Sequence, residues 1–267
     1  MQDTPILDFK NIHAHYGTEP VLENVNLKIK SGQHWAILGA NGSGKSSLIK
    51  LISNELYPDP YYFYKKELFG QENWHIFDLK SYFGIITNDL HNYFYHHAKA
   101  IPVNEAILSG FYSSVGVFPH QLFSDQQLNK VREVLEILEI SHLEQRRIGE
   151  LSTGELRRVV VGRALIHDPQ AFILDEPTVG LDIKAQDQFI HTMRKLSKHS
   201  TIILITHHLE EIFPEISHIA LMYNKSIFQQ GKKADILTSE NLSKVFDMPI
   251  DLKNENGRYY LKSRATR

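Results

Sequence analysis

Apolar and polar residues alternate through Val25-Asn26-Leu27-Lys28-Ile29-Lys30, the two-residue period of a strand with one buried face. Similar short segments fill Ile6 to Lys30 and predict antiparallel strands at the front of the chain. Apolar runs without alternation follow at Trp35-Ala36-Ile37-Leu38, Ala171 to Leu174 and Thr201 to Ile205, as expected of strands buried on both faces. Between about Tyr93 and His142 the period lengthens. There Val131, Val134, Leu135 and Leu138 recur at the i, i+3, i+4, i+7 spacing of one helical stripe. Ser46 to Ile52 reads as a helix behind the first buried strand. Asp182 to Ser197 reads as another, with Ile190, Met193 and Ser197 on one face. Strands alternating with helices predict an α/β fold with a mainly parallel sheet covered on both sides. From about residue 250 the chain turns polar, which predicts a loose tail or small extension.

Composition narrows this picture. With 267 residues, 42% hydrophobic and 22% charged, the chain has enough apolar material for a folded core in one large domain or two small ones. The net charge of -2 supplies no broad attraction for DNA or RNA, and no nucleic-acid partner is expected. The absence of cysteine excludes disulfides, thiolate catalysis and cysteine metal sites, and fits a reducing compartment such as the cytoplasm. Met1 to Lys10 carries Asp3 and Asp8 and lacks the basic-then-apolar order of a secretory signal. No apolar run approaches the ~20 residues of a membrane helix. Any membrane role is therefore expected to come through a partner.

The chemistry begins where the first buried strand ends. Gly39-Ala40-Asn41-Gly42-Ser43-Gly44-Lys45-Ser46 fits G-x-x-x-x-G-K-[ST] between a predicted strand and a predicted helix. Glycines let the backbone wind so that N–H groups point inward, and the helix start adds partial positive charge. Lys45 can reach the β- and γ-phosphates of a nucleotide, and the Ser46 hydroxyl can ligate Mg²⁺. A second apolar strand ends in Asp175-Glu176-Pro177. At the C-terminal edge of a parallel sheet Asp175 is suited to hold Mg²⁺, and Glu176 to take a proton from attacking water. A third feature, Leu151-Ser152-Thr153-Gly154-Glu155, opens a helix-like run. By itself its S-x-x-E spacing is also that of a capping box.

In this order and spacing the three motifs resemble ATP-binding cassette (ABC) ATPases, over Ile6 to about Pro249. The departures in the signature, Thr153 and Glu155, look like those of some single-cassette proteins related to iron-complex and molybdenum importers. The resemblance implies an α/β P-loop nucleotide-hydrolase fold with an N-terminal antiparallel subdomain and a helical subdomain at about 93–165. The cassette would occupy 1–249, with a short tail at 250–267. It implies Mg-dependent hydrolysis of ATP by a head-to-tail pair, with a second copy or a homologous cassette as partner. Tyr16 would stack on adenine, and residues 39–46 with Ser47 would hold the phosphates. Ser152, Gly154 and Asp182 would come from the partner. Glu176 would be the base, and His207 rather than the adjacent His208 the contact to the γ-phosphate. Mg²⁺ would be held by Ser46 and Asp175. Tyr82 to Asn88 resembles the strand that ends in a metal-contacting glutamine, with the shorter Asn88 in its place. Glu155 is expected to cap its helix rather than touch nucleotide, since its charge would oppose a triphosphate.

These features imply the ATPase subunit of a membrane transporter, held at the inner face of the membrane by a permease subunit. A soluble cassette acting on ribosomes or nucleic acid is the alternative. It would usually carry two cassettes or a long coiled-coil insertion, whereas only about a hundred residues separate the first motif from the signature. A regulator that binds ATP without turnover would lack Glu176 or His207, and both are present. His96-His97 stand in an aromatic cluster with no third ligand at useful spacing, which suggests a surface contact rather than a metal site.

Overall fold

The alternating front segment forms two long strands, β1 (Pro5–Tyr16) and β2 (Glu19–Lys30), paired antiparallel in the computed structural model. That structure describes residues 4–255 and 258–263. Along β2 the side chains of Val25, Leu27 and Ile29 are buried while Asn26, Lys28 and Lys30 face solvent, as the pleat requires. Next come β3 (Trp35–Leu38) and α1 (Lys45–Ile52), after which β4 (Lys65–Leu68) pairs antiparallel with β1. Residues up to Ile76, together with those from Ser197 onward, make one compact unit.

The second unit is Phe77–Leu196. Helix α2 (Ile76–Tyr82) leads into β5 (Phe83–Ile86), so Tyr82 closes a helix instead of opening the strand that the sequence suggests. Thr87 then caps α3 (Asn88–His97), its hydroxyl accepting from the Leu90 N–H at 3.2 Å. Helices α4 (Val103–Leu108), α5 (Asp125–Ile137) and α6 (Thr153–Leu165) follow, then β6 (Ala171–Asp175), parallel to β5, and α7 (Ile183–Leu196). The α5 stripe buries Val131, Val134 and Leu135, with Leu138 buried just past its end. On α7 the buried set is Phe189, Met193 and Leu196, at i, i+4, i+7, while Ile190 is only half-buried. The expected face holds at Met193 and at Ser197, buried just past the helix end, and differs at its start, where Phe189 takes the deeper place instead of Ile190.

The chain returns to the first unit with β7 (Thr201–Thr206), β8 (His218–Tyr223) and β9 (Ser226–Lys232). Here β3 lies between β7 and β8 and runs parallel to both, and β9 closes the edge antiparallel to β8. Every residue of β3 is buried, and each fully buried aliphatic side chain contributes about 1.5–3 kcal/mol. Two short helices, α8 (Lys233–Ile236) and α9 (Ser239–Val245), precede β10 (Ile250–Glu255) and β11 (Arg258–Ser263). The last two strands pair antiparallel, so residues 250–255 and 258–263 form the small extension. Asp3 and residues 264–267 lie outside the described residues. No described helix is long and apolar enough to cross a membrane.

Candidate functional site

In the first unit the glycine-rich loop runs from the end of β3 into the head of α1. A methyl group on Gly39 would sit 2.7 Å from the Met222 carbonyl oxygen and would overlap Ser43 Oγ, so only glycine fits there. Gly44 caps α1 at φ 104, a conformation that side chains disfavour. Lys45 is 7% exposed, and its Nζ donates to the Gly39 carbonyl at 2.8 Å and the Ala40 carbonyl at 3.1 Å. The loop is wound around a buried ammonium. The first N–H groups of α1, including those of Lys45, Ser46 and Ser47, have no acceptor within the helix and carry its positive dipole end. Ser46 is exposed at this turn, as are Asn41 and Gly42. Ser43 is buried, and its hydroxyl has no hydrogen-bond partner among the described residues. A buried, unmatched hydroxyl beside an ammonium and a helix start fits a phosphate group.

His207 follows β7 directly. Because Leu38 is in register with Thr206 on adjacent parallel strands, the loop and His207 leave the same edge of this sheet. The two histidine rings lie 3.9 Å apart, with His207 half-buried and His208 exposed. Tyr16 ends β1 and is 47% exposed, and Lys50 Nζ of α1 lies 5.5 Å from its ring centre.

The second unit gathers another set. Asp175 ends β6, and Glu176 follows with φ 45, an uncommon backbone for a side chain of this size. The Glu176 carbonyl accepts from Asn88 Nδ2 at 3.3 Å and from the Val179 N–H at 3.3 Å. Asp182 is exposed, and its carboxylate accepts from the Ala185 N–H at 2.8 Å at the start of α7. Ser152 caps α6 in a closed capping box. Its N–H and hydroxyl donate to the Glu155 carboxylate at 2.7 and 2.8 Å, and its Oγ accepts from the Glu155 N–H at 3.3 Å. Partial burial pushes the Glu155 pKa up, but the Ser152 hydrogen bonds and the charges of Arg146 and Arg158 outweigh it and hold the carboxyl below its usual value. Glu155 therefore caps, with Gly154 half-buried beside it in the first turn.

Two residues escaped the sequence reading. Arg157 is the first of two adjacent arginines between buried Leu156 and Val159 on α6, and the sequence does not say which of the pair is buried. His91 is 6% exposed with Nδ1 unpartnered, and burial followed by the Arg157 charge depresses its pKa to about 4. A histidine kept neutral in the fold but free to charge when unfolded costs stability as pH falls from 6.5 toward 4. We expect thermal melts across this range to show a loss on the order of 2–3 kcal/mol that His91→Gln removes. An unchanged slope in the variant would refute it. His96 and His97 are exposed on α3, His97 Nδ1 lying 3.3 Å from the Tyr93 carbonyl. Among the described residues no three or more His, Asp or Glu side chains gather as a metal-binding group.

A glycine-rich turn on a helix start, set behind a strand buried among parallel neighbours, defines the class: a P-loop α/β nucleotide-binding protein. The pattern of the ABC transporter family matches residues 22–179. A protein of Streptococcus mutans named as an ABC transporter ATP-binding protein is 31% identical over 269 residues, covering 96% of this chain and 98% of that protein. The solved ATP-binding cassette MJ1267 of an ABC transporter, in its ADP conformation, matches with a TM-score of 0.77 at 25% identity over 91% of this chain and 98% of that one. The fold is also that of the dimeric cassette MJ0796 bound to ADP and Pi, with a TM-score of 0.67 at 20% identity over 85% of this chain and 98% of that one. The chain belongs to the ABC transporter family, as an ATP-binding cassette.

Proposed function

We propose that this chain hydrolyses ATP with Mg²⁺ as one half of a head-to-tail pair of cassettes that drives a permease subunit at the inner face of a membrane. The observation that carries the reading is the Lys45 ammonium, buried at the centre of the turn 39–44 with the N-terminus of α1 behind it. Lys45 and the N–H groups of residues 42–47 hold the phosphates, and the unmatched Ser43 hydroxyl gains an acceptor. Tyr16 is exposed and offers its ring to the adenine. Ser46 and Asp175 supply hard oxygen donors of the kind Mg²⁺ selects. When bound, the ion neutralises charge on the transferring phosphoryl group. Glu176 accepts the proton of the attacking water, and His207, on the loop's own sheet edge, donates to the γ-phosphate.

Residues 1–249 act as the cassette, with a helical part at about 93–165 that presents Ser152 and Gly154 to a partner's nucleotide while Asp182 crosses beside it. Ser152 stands exposed at the head of α6, as such a contact needs. A similar cassette, MJ0796, is a dimer by its own description. Purified protein should release phosphate from ATP in Mg²⁺ and lose that activity in excess EDTA, recovering it on adding Mg²⁺ back. Phosphate release at the protein-free rate would refute the hydrolase reading, and release insensitive to EDTA would refute the metal requirement.

A further inference from the structure

Arg157 lies in the second turn of α6 and is 1% exposed, a guanidinium taken almost wholly out of water. Such burial is expensive unless the donors meet acceptors. One Arg157 nitrogen donates to Asn88 Oδ1 at 2.8 Å and to the Val179 carbonyl at 3.4 Å. Asn88 Nδ2 in turn donates to the Glu176 carbonyl at 3.3 Å. A guanidinium can only donate and a peptide carbonyl can only accept, so the chemistry of its neighbours orients both ends of the Asn88 amide. The turn 176–179 is thus gripped at its first and last carbonyls, and its own Val179 N–H closes back on Glu176. Its first residue holds the uncommon φ of 45.

We propose that Asn88 and Arg157 are positioning residues that clamp the turn 176–179 and so aim the Glu176 carboxylate. The inference rests on the reading of Glu176 as the base. The Asn88 oxygen, which the family resemblance would assign to Mg²⁺, accepts from Arg157. Arg157 also shares a rigid rod with Ser152, about 7 Å away along the helix axis. A displacement of the capped end of α6 is therefore carried to the turn that holds Glu176.

Asn88→Asp tests the clamp. Aspartate keeps the size and the acceptor for Arg157 but gives the Glu176 carbonyl no hydrogen. We expect kcat to fall about 10- to 100-fold while KM for ATP stays within about twofold of native and Tm is little changed. In nucleotide-free protein the Val179 amide should exchange with deuterium faster. Arg157→Lys keeps the buried charge but loses the fork, and should give an intermediate kcat at native KM. Native kcat and native Val179 exchange in Asn88→Asp would overturn the proposal. So would a parallel loss of kcat, ATP affinity and Tm, which marks a merely structural role. A lower Mg²⁺ concentration at half-activation would overturn it in favour of a metal ligand. Turnover at the native rate in Glu176→Gln would instead refute the base assignment, and the exchange measurement would still report on the clamp.

Discussion

Glu176→Gln is expected to lower ATP turnover by about 10²- to 10⁴-fold, the range of a lost general base, with ATP binding retained. The change swaps a carboxylate for an amide of the same shape, so the turn 176–179 keeps its backbone hydrogen bonds from Asn88 and Val179. What disappears is the lone pair able to take a proton from water. The substitution alters no residue of the loop 39–46, where Lys45 donates to the Gly39 and Ala40 carbonyls. Single-turnover phosphate release, read beside equilibrium binding of ATP, separates the two effects. A native rate in the variant would remove Glu176 from the chemistry.

Lys45→Ala should weaken ATP binding by about 10- to 100-fold, since a charge-assisted hydrogen bond contributes about 1.5–3 kcal/mol. The substitution also strips the Gly39 and Ala40 carbonyls of a donor at 2.8 and 3.1 Å, so the loop loses its internal brace. The melting temperature gives an independent check. A ligand that binds only the folded state stabilises it in proportion to the logarithm of concentration over Kd. Mg-ATP should therefore raise the Tm of the native chain far more than that of the variant. Equal affinity in both proteins would sink the assignment of the loop.

Much of this was legible because the decisive features are local. Gly39 to Ser46 is contiguous, and a glycine where a methyl would strike Met222 can be read as a demand for close approach. Asp175 and Glu176 terminate the short apolar run Ala171 to Leu174, whose length is that of a buried strand. Ser152 and Glu155 stand at capping-box spacing, and the box is closed in the fold. The Asn88–Arg157 contact was not legible, because it joins residues 69 positions apart and its meaning depends on which carbonyls lie nearby. On α7 only the first buried position was misread, because Phe189 and Ile190 are adjacent apolar residues and periodicity alone does not say which goes inward. The closing pair of strands was hidden by their polar residues, although Asn256-Gly257 between them is a strong turn signal in the sequence.

The capping box has a mechanical consequence. The Ser152 hydroxyl owns a single proton, and the Glu155 carboxylate already takes it. Any anion arriving at the head of α6 has to compete for that proton or settle for bare backbone amides, with a full negative charge standing close by. Grip at this end is tempered from within. A helix end so defended favours brief attachment and ready release of any anion that meets it.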